Sequence, residues 1–195
     1  MNFKELVESL KASRRELRGS LKLRAALDAF DVEVSSRVCL DIGASTGGFT
    51  TVLLERGAAR VYAVDAGHGQ LLGSLRQDPR VVNLEATNVG ELDDERIPDV
   101  VDLVTADLSY LSLSDAVAEL GRVAIARGAD LIGLVKPMFE LKRPTAPSDR
   151  ESLDEAARVA VEGVAAADWM VLATIDSPVR GAKGAPELFL HARFG

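Results

Sequence analysis

The sequence contains 195 residues, 47% of them hydrophobic and 27% charged, and its formal net charge is −7. This composition is ordinary for a globular protein, and the length suits one domain with a substantial hydrophobic core. No apolar run approaches the ~18 residues that a spanning helix needs, and no basic amphipathic helix is long enough to bind a bilayer, so we expect no membrane association.

The N-terminal segment and the cysteine content indicate the compartment. Residues 1–19 are rich in charge and lack the apolar core of a signal peptide. Cys39 is the one cysteine of the sequence, which excludes an internal disulfide and fits a reducing environment. We therefore expect a cytoplasmic protein in which Cys39 lies inside a strand and packs as a small hydrophobic residue.

The charge is unevenly distributed along the chain. Residues 1–30 hold seven Lys or Arg against four Asp or Glu, and residues 11–24 hold six basic residues and one acidic residue. The overall negative charge argues mildly against a polyanionic partner, whereas a local basic strip can still bind phosphate groups. A solvated helix face explains the same strip equally well.

Apolar runs and helical patterns alternate along the chain. Short apolar runs bounded by turn residues predict seven strands, at 38–42, 61–64, 81–84, 101–106, 131–135, 169–175 and 188–194. Helical patterns lie at 20–30, 47–56, 69–77, 113–127 and 149–168. Ser148 and Glu151 form a plausible capping box for the last of these helices.

This alternation predicts the fold class. Strands that are apolar throughout and separated by helices indicate a parallel sheet that is covered on both faces. No helix separates the last two strands, so we expect them to pair antiparallel at one edge. The sequence therefore predicts a doubly wound α/β fold with a seven-stranded, mostly parallel sheet and an antiparallel edge strand.

Four ionisable residues lie at or near the carboxyl ends of predicted strands. Asp41, Asp65, Asp107 and Lys136 follow the first, second, fourth and fifth strands. Ligands of open α/β sheets bind at this edge, and lone buried charges cost several kcal/mol each. These residues therefore indicate a ligand site.

A glycine-rich turn follows the first strand in the stretch VCLDIGASTGGFT. Gly43 allows a sharp turn off the strand, and Gly47 and Gly48 let a helix begin close to a ligand, where we expect exposed amides to bind ligand oxygens. The spacing departs from the G-x-G-x-x-G of dinucleotide folds, because the second glycine is replaced by Ser45. With Asp41 before the turn, which we assign to cofactor binding, a ligand with a cationic end, such as S-adenosylmethionine, fits better than a pyrophosphate.

Asp65 lies 24 residues after Asp41, at the end of the second strand. A carboxylate in this position can accept hydrogen bonds from both hydroxyls of an adenosine ribose. Both NAD and S-adenosylmethionine carry such a ribose, so Asp65 is compatible with either cofactor. A helix N-cap is the alternative role for this residue.

Five motifs together resemble one family. They are, in order, DIGASTGGFT, VYAVDAGHGQL, ADLSYLSL, LVKPMFE and KGAPELFLH. From about Arg18 to the C-terminus the chain is similar to the FtsJ-like ribose 2′-O-methyltransferases, and most similar to the haemolysin-A-like (TlyA-type) ribosomal RNA methyltransferases. The resemblance implies a Rossmann-like fold that binds S-adenosylmethionine, with an N-terminal helical segment at 1–34 and a methyltransferase domain at 35–195. Relatives usually carry a small N-terminal RNA-binding module, and from its short N-terminal part we expect this chain to lack one.

The resemblance also implies site residues. A Lys-Asp-Lys-Glu catalytic tetrad falls on Lys22, Asp107, Lys136 and Glu187, although Ser20 stands where relatives usually have a glycine. The implied contacts to S-adenosylmethionine are Gly43, Ala44, Ser45, Gly47, Gly48, Phe49, Asp65 and, near the adenine, Asn88.

Methylation of a ribose hydroxyl requires few chemical groups. The acceptor oxygen must be held in line with the sulfur–methyl bond, and its proton must leave. We assign this task to Lys136, as a base or as a cation that stabilises the alkoxide, with Asp107 and Glu187 orienting it and Lys22 adding positive charge. The alternative for Asp107 and Lys136 is a purely structural ion pair.

RNA is expected to approach over loops at the same edge of the sheet. Tyr110 and Phe139 could stack on bases, or they could simply pack. The basic residues in or beside these loops are Arg18, Lys22, Lys142, Arg143, Arg150, Arg180 and Lys183. His68 and His191 lack the spacing of metal ligands, so we expect no metal.

Three functional hypotheses follow from these residues. The leading one is an S-adenosylmethionine-dependent RNA methyltransferase that modifies a ribose 2′-hydroxyl of ribosomal RNA. The second keeps the cofactor but methylates a substrate that is not RNA. The third is a catalytically silent binding protein that uses the fold as an interaction surface.

Overall fold

A seven-stranded sheet forms the centre of the computed structural model, which describes residues 18–195. Its strands are β1 Val38–Ile42, β2 Arg60–Asp65, β3 Val81–Glu85, β4 Val101–Ala106, β5 Ile125–Val135, β6 Trp169–Asp176 and β7 Leu188–Phe194. The strand order is β3-β2-β1-β4-β5-β7-β6, and β1 to β5 are parallel. The predicted antiparallel pairing of the last two strands is confirmed. The antiparallel strand β7 lies between β5 and the edge strand β6.

Six helices accompany these strands in the described part of the chain. They are α1 Arg18–Phe30, α2 Gly48–Glu55, α3 Gly73–Arg76, α4 Leu113–Ala118, α5 Pro137–Glu140 and α6 Arg150–Ala166. Short 3-10 turns occur at Val89–Glu91, Glu119–Arg122 and Ala182–Gly184. Among residues 18–195, no helix has both the length and the apolar character that crossing a bilayer would require.

The sheet separates two apolar cores, as the uniformly apolar strands predict. Leu40 and Ile42 of β1 belong to the core that includes residues of α4 and α6. Cys39, which neighbours Leu40 and points to the other face in the alternation of strand side chains, belongs to the core beneath α1 and α2. Cys39 is fully buried, and burial raises the pKa of its thiol to about 12. The prediction that it packs as a hydrophobic residue is confirmed.

The predicted helix at 113–127 is too long. Helix α4 ends at Ala118, and β5 begins at Ile125, six residues before the predicted start of the strand. Gly128 has a φ of +77°, and the register between β4 and β5 shifts beside it. The strand therefore continues through an irregularity that the sequence pattern presents as a helix end.

Two further local predictions are wrong. The predicted helix at 69–77 is shortened to α3, because Glu85 accepts hydrogen bonds from the amides of Gln70 and Leu71 and holds the preceding segment in a turn. Asp149, and not Ser148, caps α6, since its carboxylate accepts a 2.9 Å hydrogen bond from the Ser152 amide. A carboxylate at the N-cap also has a favourable interaction with the helix dipole.

Candidate active site

Two glycines of the turn after β1 have conformations that the surroundings require. Gly43 has a φ of +86°, and a Cβ atom there would lie 2.4 Å from the backbone oxygen of Asp107. Gly47 has a φ of +97°, and its Cβ would lie 2.1 Å from the Leu75 side chain. The turn therefore packs directly against the end of β4 on one side and against α3 on the other.

Most amides of this turn donate hydrogen bonds within the protein. The amides of Gly43 and Ala44 both donate to the carbonyl of Val64 at 2.9 Å. The Ser45 amide donates to the Asp65 carboxylate at 2.8 Å, and the Gly47 amide donates to the carbonyl of Ala44. Our expectation of exposed amides is wrong for these four groups. These four amides therefore do not form a group of free N–H donors that could bind a phosphate.

A pocket of about 340 Å³, the turn pocket, lies over the turn. The residues that line it are Arg18, Gly19, Gly43, Ala44, Ser45, Thr46, Gly48, Phe49 and Asp107. Five of the residues predicted to contact the cofactor are in this set. Arg18, Gly19 and Thr46 were not assigned to the cofactor, and a small residue such as Gly19 at the start of a helix carries no distinctive signal.

Four residues predicted to contact the cofactor, Asp41 among them, do not line the turn pocket. Gly47 lies beneath the turn, against Leu75. Asp65 accepts hydrogen bonds from the amides of Ser45 and Gly67, which places its carboxylate at the edge of the turn. Asn88 is exposed at the start of the 3-10 turn Val89–Glu91, where it hydrogen-bonds to Glu91.

Asp41 lies behind the turn. Its side chain is fully buried and accepts hydrogen bonds from the hydroxyls of Thr50 at 2.7 Å and Thr105 at 2.9 Å. Burial raises the pKa of this carboxyl to about 6, because two hydroxyl donors compensate only part of the lost hydration. The structure therefore places Asp41 between β1, α2 and β4, away from the pocket wall.

Asp107 and Lys136 form an ion pair at the carboxyl ends of β4 and β5. The Lys136 ammonium lies 2.6 Å from the Asp107 carboxylate and donates a 3.0 Å hydrogen bond to the Ser109 hydroxyl. The side chains of Lys136 and Asp107 are partly accessible, at 15% and 22% of their surface. Because both side chains of this ion pair remain in contact with solvent, a polar group of a bound ligand can also reach Lys136 or Asp107.

Lys22 and Glu187 form a second, more deeply buried pair. Their charged atoms are 2.5 Å apart, and the side chains are only 8% and 5% exposed. Helix α1 is held in place to make this contact, because Ser20 donates a 2.9 Å hydrogen bond to the carbonyl of Gly48 at the start of α2. Lys22 therefore contacts the site by its ion pair with Glu187. Of the two carboxylates of the predicted tetrad, Lys136 pairs with Asp107 and not with Glu187.

A second pocket of about 560 Å³, the lysine pocket, adjoins the pair of Asp107 and Lys136. It is lined by Ser109, Lys136, Pro137, Met138, Phe139, Pro144, Thr145, Ala146, Ser148 and residues 182–187. Asp107 lines the turn pocket and Lys136 lines the lysine pocket, so their ion pair connects the two. Phe139 lies in the wall as an apolar surface, whereas Tyr110 is 48% exposed and lines neither pocket.

The predicted basic residues are distributed around this edge. Lys183 lines the lysine pocket, and Arg150 and Arg180 line a neighbouring pocket that shares Pro186 and Glu187 with it. The part of the basic segment 11–24 before Arg18 lies outside the described residues. Within residues 18–195, no three His, Cys, Asp or Glu side chains come together as a group that could hold a metal ion.

Comparison with known proteins identifies relatives over nearly the whole chain. The FtsJ-like methyltransferase family matches residues 16–194. A 16S/23S rRNA (cytidine-2′-O)-methyltransferase, TlyA of Mycobacterium tuberculosis, is 46% identical over 181 residues, which are 90% of this chain and 67% of that protein. Hemolysin A of Brachyspira hyodysenteriae is 33% identical over 193 residues, which are 96% of this chain and 79% of that protein.

Solved structures agree with this match. A structure from Streptococcus thermophilus has a TM-score of 0.86 at 32% identity and covers 91% of this chain and 66% of that one. The pre-rRNA processing protein fibrillarin of Methanococcus jannaschii has a TM-score of 0.63 at 13% identity, covering 84% of this chain and 69% of that one, which shows a shared fold. The chain thus spans about two thirds of the length of several of these relatives.

Proposed function

The chain belongs to the FtsJ-like methyltransferase family, and from this premise we propose that it transfers a methyl group from S-adenosylmethionine to a ribose 2′-hydroxyl of ribosomal RNA. The name of the M. tuberculosis relative, a 16S/23S rRNA (cytidine-2′-O)-methyltransferase, supports the RNA substrate. One observation carries the proposal. The Asp107–Lys136 ion pair, at 2.6 Å, joins a pocket built on the glycine turn to a larger pocket that also contains Glu187.

The turn pocket fits S-adenosylmethionine better than a dinucleotide. The four engaged amides of the turn offer no site for a pyrophosphate, while Asp107 provides a carboxylate in the pocket and Asp65 provides one at the edge of the turn. Carboxylates suit the ribose hydroxyls and the cationic groups of this cofactor. We assign its binding to the predicted residues that line the pocket, Gly43, Ala44, Ser45, Gly48 and Phe49, together with Asp65. When bound, S-adenosylmethionine supplies a methyl group that is activated by a positively charged sulfur.

Lys136 has the position required of the principal catalytic residue. An ammonium group has three N–H donors, of which two contact Asp107 and Ser109 here, so a third can hold the acceptor hydroxyl. This cation stabilises the negative charge that develops on the oxygen as its proton leaves. Asp107 fixes the direction of the Lys136 side chain. The hydroxyl proton would pass to solvent water, which reaches this partly accessible ion pair, because an ammonium group cannot accept it.

Glu187 and Lys22 complete the proposed tetrad from the opposite wall. Glu187 lines the lysine pocket, and its carboxylate can accept a hydrogen bond from a ribose hydroxyl. Lys22 compensates the charge of Glu187 in a buried position and holds it in one orientation. The pocket volume of about 560 Å³ is large enough for a nucleoside, and its proline, methionine and phenylalanine walls suit a base.

The decisive experiment measures transfer of labelled methyl from S-adenosylmethionine to ribosomal subunits and to deproteinised ribosomal RNA. We expect label in at least one of them, with alkali-resistant linkages at the modified position, because a methylated 2′-oxygen cannot attack the adjacent phosphate. Lys136→Met should reduce the rate by about 10²-fold or more while binding of S-adenosylmethionine remains. Arg158→Met removes an exposed basic residue of α6 that pairs with Glu162, outside the predicted RNA-facing set, and serves as the control, with the rate unchanged.

Two outcomes would contradict the proposal. If the folded protein binds S-adenosylmethionine but labels neither RNA substrate, the acceptor is not ribosomal RNA, and the alternative of another methyl acceptor is favoured. If wild type and Lys136→Met transfer methyl equally poorly and bind the same partner, the chain is a silent binding protein. As part of the same proposal, the protein acts in the cytoplasm, and its chain is divided into an N-terminal helical segment at residues 1–34 and a methyltransferase domain at residues 35–195.

A further inference from the structure

The segment 177–187, between β6 and β7, forms one wall of the lysine pocket. Six of its residues, 182–187, line the pocket. The segment is closed on itself, because the Ser177 amide donates to the carbonyl of Glu187 at 2.9 Å and the Gly181 amide donates to the carbonyl of Ala185 at 2.8 Å. The segment is therefore braced by its own backbone hydrogen bonds, and six of its residues form part of the pocket wall.

Arg18, at the start of α1, binds the outer part of this segment. One nitrogen of its guanidinium donates a 2.6 Å hydrogen bond to the carbonyl of Arg180 and a 3.3 Å hydrogen bond to the carbonyl of Gly181. Both acceptors belong to the main chain, so the contact depends on the position of the segment and not on its side chains. Charge-assisted hydrogen bonds of this kind are stronger than neutral ones.

Helix α1 holds the same segment at a second point. Lys22 lies four residues after Arg18, on the same face of the helix, and pairs with Glu187 at the other end of the segment. Gly181 lies against the Glu187 carboxylate, since a Cβ atom on Gly181 would come within 2.1 Å of its oxygen. The two contacts are therefore joined through the segment, and α1 contacts the pocket wall at two points.

We propose that Arg18 is a positioning residue that holds the segment 177–187 closed as the wall of the RNA-acceptor pocket. The effect of Arg18 on RNA binding rests on the proposed function, whereas the hold of Arg18 on the segment does not. An arginine suits this task because one terminal nitrogen of its long guanidinium side chain carries two N–H donors for the two successive carbonyls, whereas the shorter lysine side chain would reach them less well. Arg18 acts on the acceptor through the wall and is not a catalytic residue.

Hydrogen exchange tests the hold on the segment without any ligand. In Arg18→Ala, the amides of Gly181, Gly184 and Ala185 should exchange about tenfold faster, since each is protected by a bond inside the segment. Arg18→Lys should give an intermediate increase. Arg158→Ala removes an exposed arginine of α6 that pairs with Glu162, and it should leave these rates unchanged. Unchanged exchange in a folded Arg18→Ala would overturn the proposal.

Kinetics then test the consequence for the acceptor. In Arg18→Ala, the KM for ribosomal RNA should rise about tenfold, with the Kd of S-adenosylmethionine within about threefold of wild type. If Arg18→Ala binds S-adenosylmethionine tenfold more weakly and its segment amides exchange at the wild-type rate, Arg18 is a cofactor ligand, and the proposal is overturned. Faster exchange with an unchanged KM would overturn its role in acceptor binding. If the wild-type protein methylates no RNA but Arg18→Ala still shows faster hydrogen exchange in the segment, the proposed function is refuted, whereas the hold of Arg18 on the segment is supported.

Discussion

At the scale of single residues, Asp41 shows how position changes the role of a charge. The strand pattern places a carboxylate at the carboxyl end of β1, where a ligand is expected. The alternation of side chains along β1 instead directs Asp41 into the core beneath α2, between the hydroxyls of Thr50 and Thr105. Asp41 therefore joins β1, α2 and β4 behind the turn, and Asp107 is the carboxylate that lines the turn pocket.

Asp41 gives a prediction about pH and stability. Its pKa of about 6 lies above the usual value, so between pH ~4 and ~6 the folded state binds more protons than the unfolded state. The free energy of unfolding should therefore fall in this window as the pH rises. Asp41→Asn cannot ionise and should lack this fall, so its stability relative to wild type should increase by roughly 2 kcal/mol between pH 4 and pH 7.

Urea unfolding at pH 4, 5, 6 and 7 measures this difference. Asp31→Asn, at an exposed aspartate between α1 and β1, provides the control and should parallel wild type. A constant difference between Asp41→Asn and wild type over the whole range would show that Asp41 does not titrate in this window.

At the scale of elements, the turn between β1 and α2 is the feature that joins fold and site. Gly43 combines a positive φ with a close approach to the Asp107 backbone, so the end of β1 and the end of β4 determine each other's position. Because Asp107 also pairs with Lys136, the geometry of the turn is transmitted to the ammonium group. A change at Gly43 should therefore affect stability and cofactor binding together.

Substitution of Gly43 separates steric conflict from backbone strain. Gly43→Ala should lower the free energy of unfolding by more than about 2 kcal/mol, since neither the φ nor the contact with a backbone oxygen can be relieved. Gly69→Ala is the matched control, because Gly69 has a φ of +70° and a Cβ atom there would meet no other atom within 4 Å, so it should cost only about 1 kcal/mol. Chemical denaturation and cofactor titration measure both effects. Equal losses in the two variants would mean that the contact with Asp107 is unimportant.

At the scale of the whole molecule, a second charged cluster holds the sheet together away from the site. Asp130 of β5 is buried and contacts Arg37 before β1 at 2.6 Å, and His191 and Arg193 of β7 at 2.7 and 3.3 Å. Burial alone would raise the pKa of Asp130, but the hydrogen bonds from His191 and Arg37 outweigh it and lower the pKa to about 2. Asp130 precedes Lys136 by roughly 20 Å of strand.

This cluster should contribute to stability without affecting methyl transfer. Because the pKa of Asp130 is lowered on folding, its contribution is present above pH ~4 and is lost as the pH falls towards 2. Asp130→Asn should lower the free energy of unfolding by roughly 2 kcal/mol at pH 7, discounting the exposed arginines, and by much less at pH 2.5. Denaturant titrations at both pH values check this, and methyl transfer per folded protein should equal that of wild type. A loss that is the same at both pH values would contradict the assignment.

Local patterns were sufficient for much of this protein. The apolar runs, the glycine turn and the residues Asp65, Asp107 and Lys136 at strand ends are all encoded within a few neighbouring positions, because strand period and turn geometry are local properties. The strands, their alternation with helices and the edge at which a site forms could therefore be predicted. Errors occurred where a local signal had two meanings, as at Gly128 and at Ser148 beside Asp149.

Contacts between distant segments depended on the tertiary structure. The buried pair of Lys22 and Glu187 spans 165 positions, and Arg18 binds carbonyls 162 and 163 positions away. No short pattern specifies such contacts, since they follow from the insertion of β7 between β5 and β6 and from the packing of α1 on α2. The same packing decided that Asp41 faces the core. Sequence alone thus determined which chemical groups reach the sheet edge, and only the folded arrangement determined which of them meet, because strand order and helix packing are collective properties of the chain.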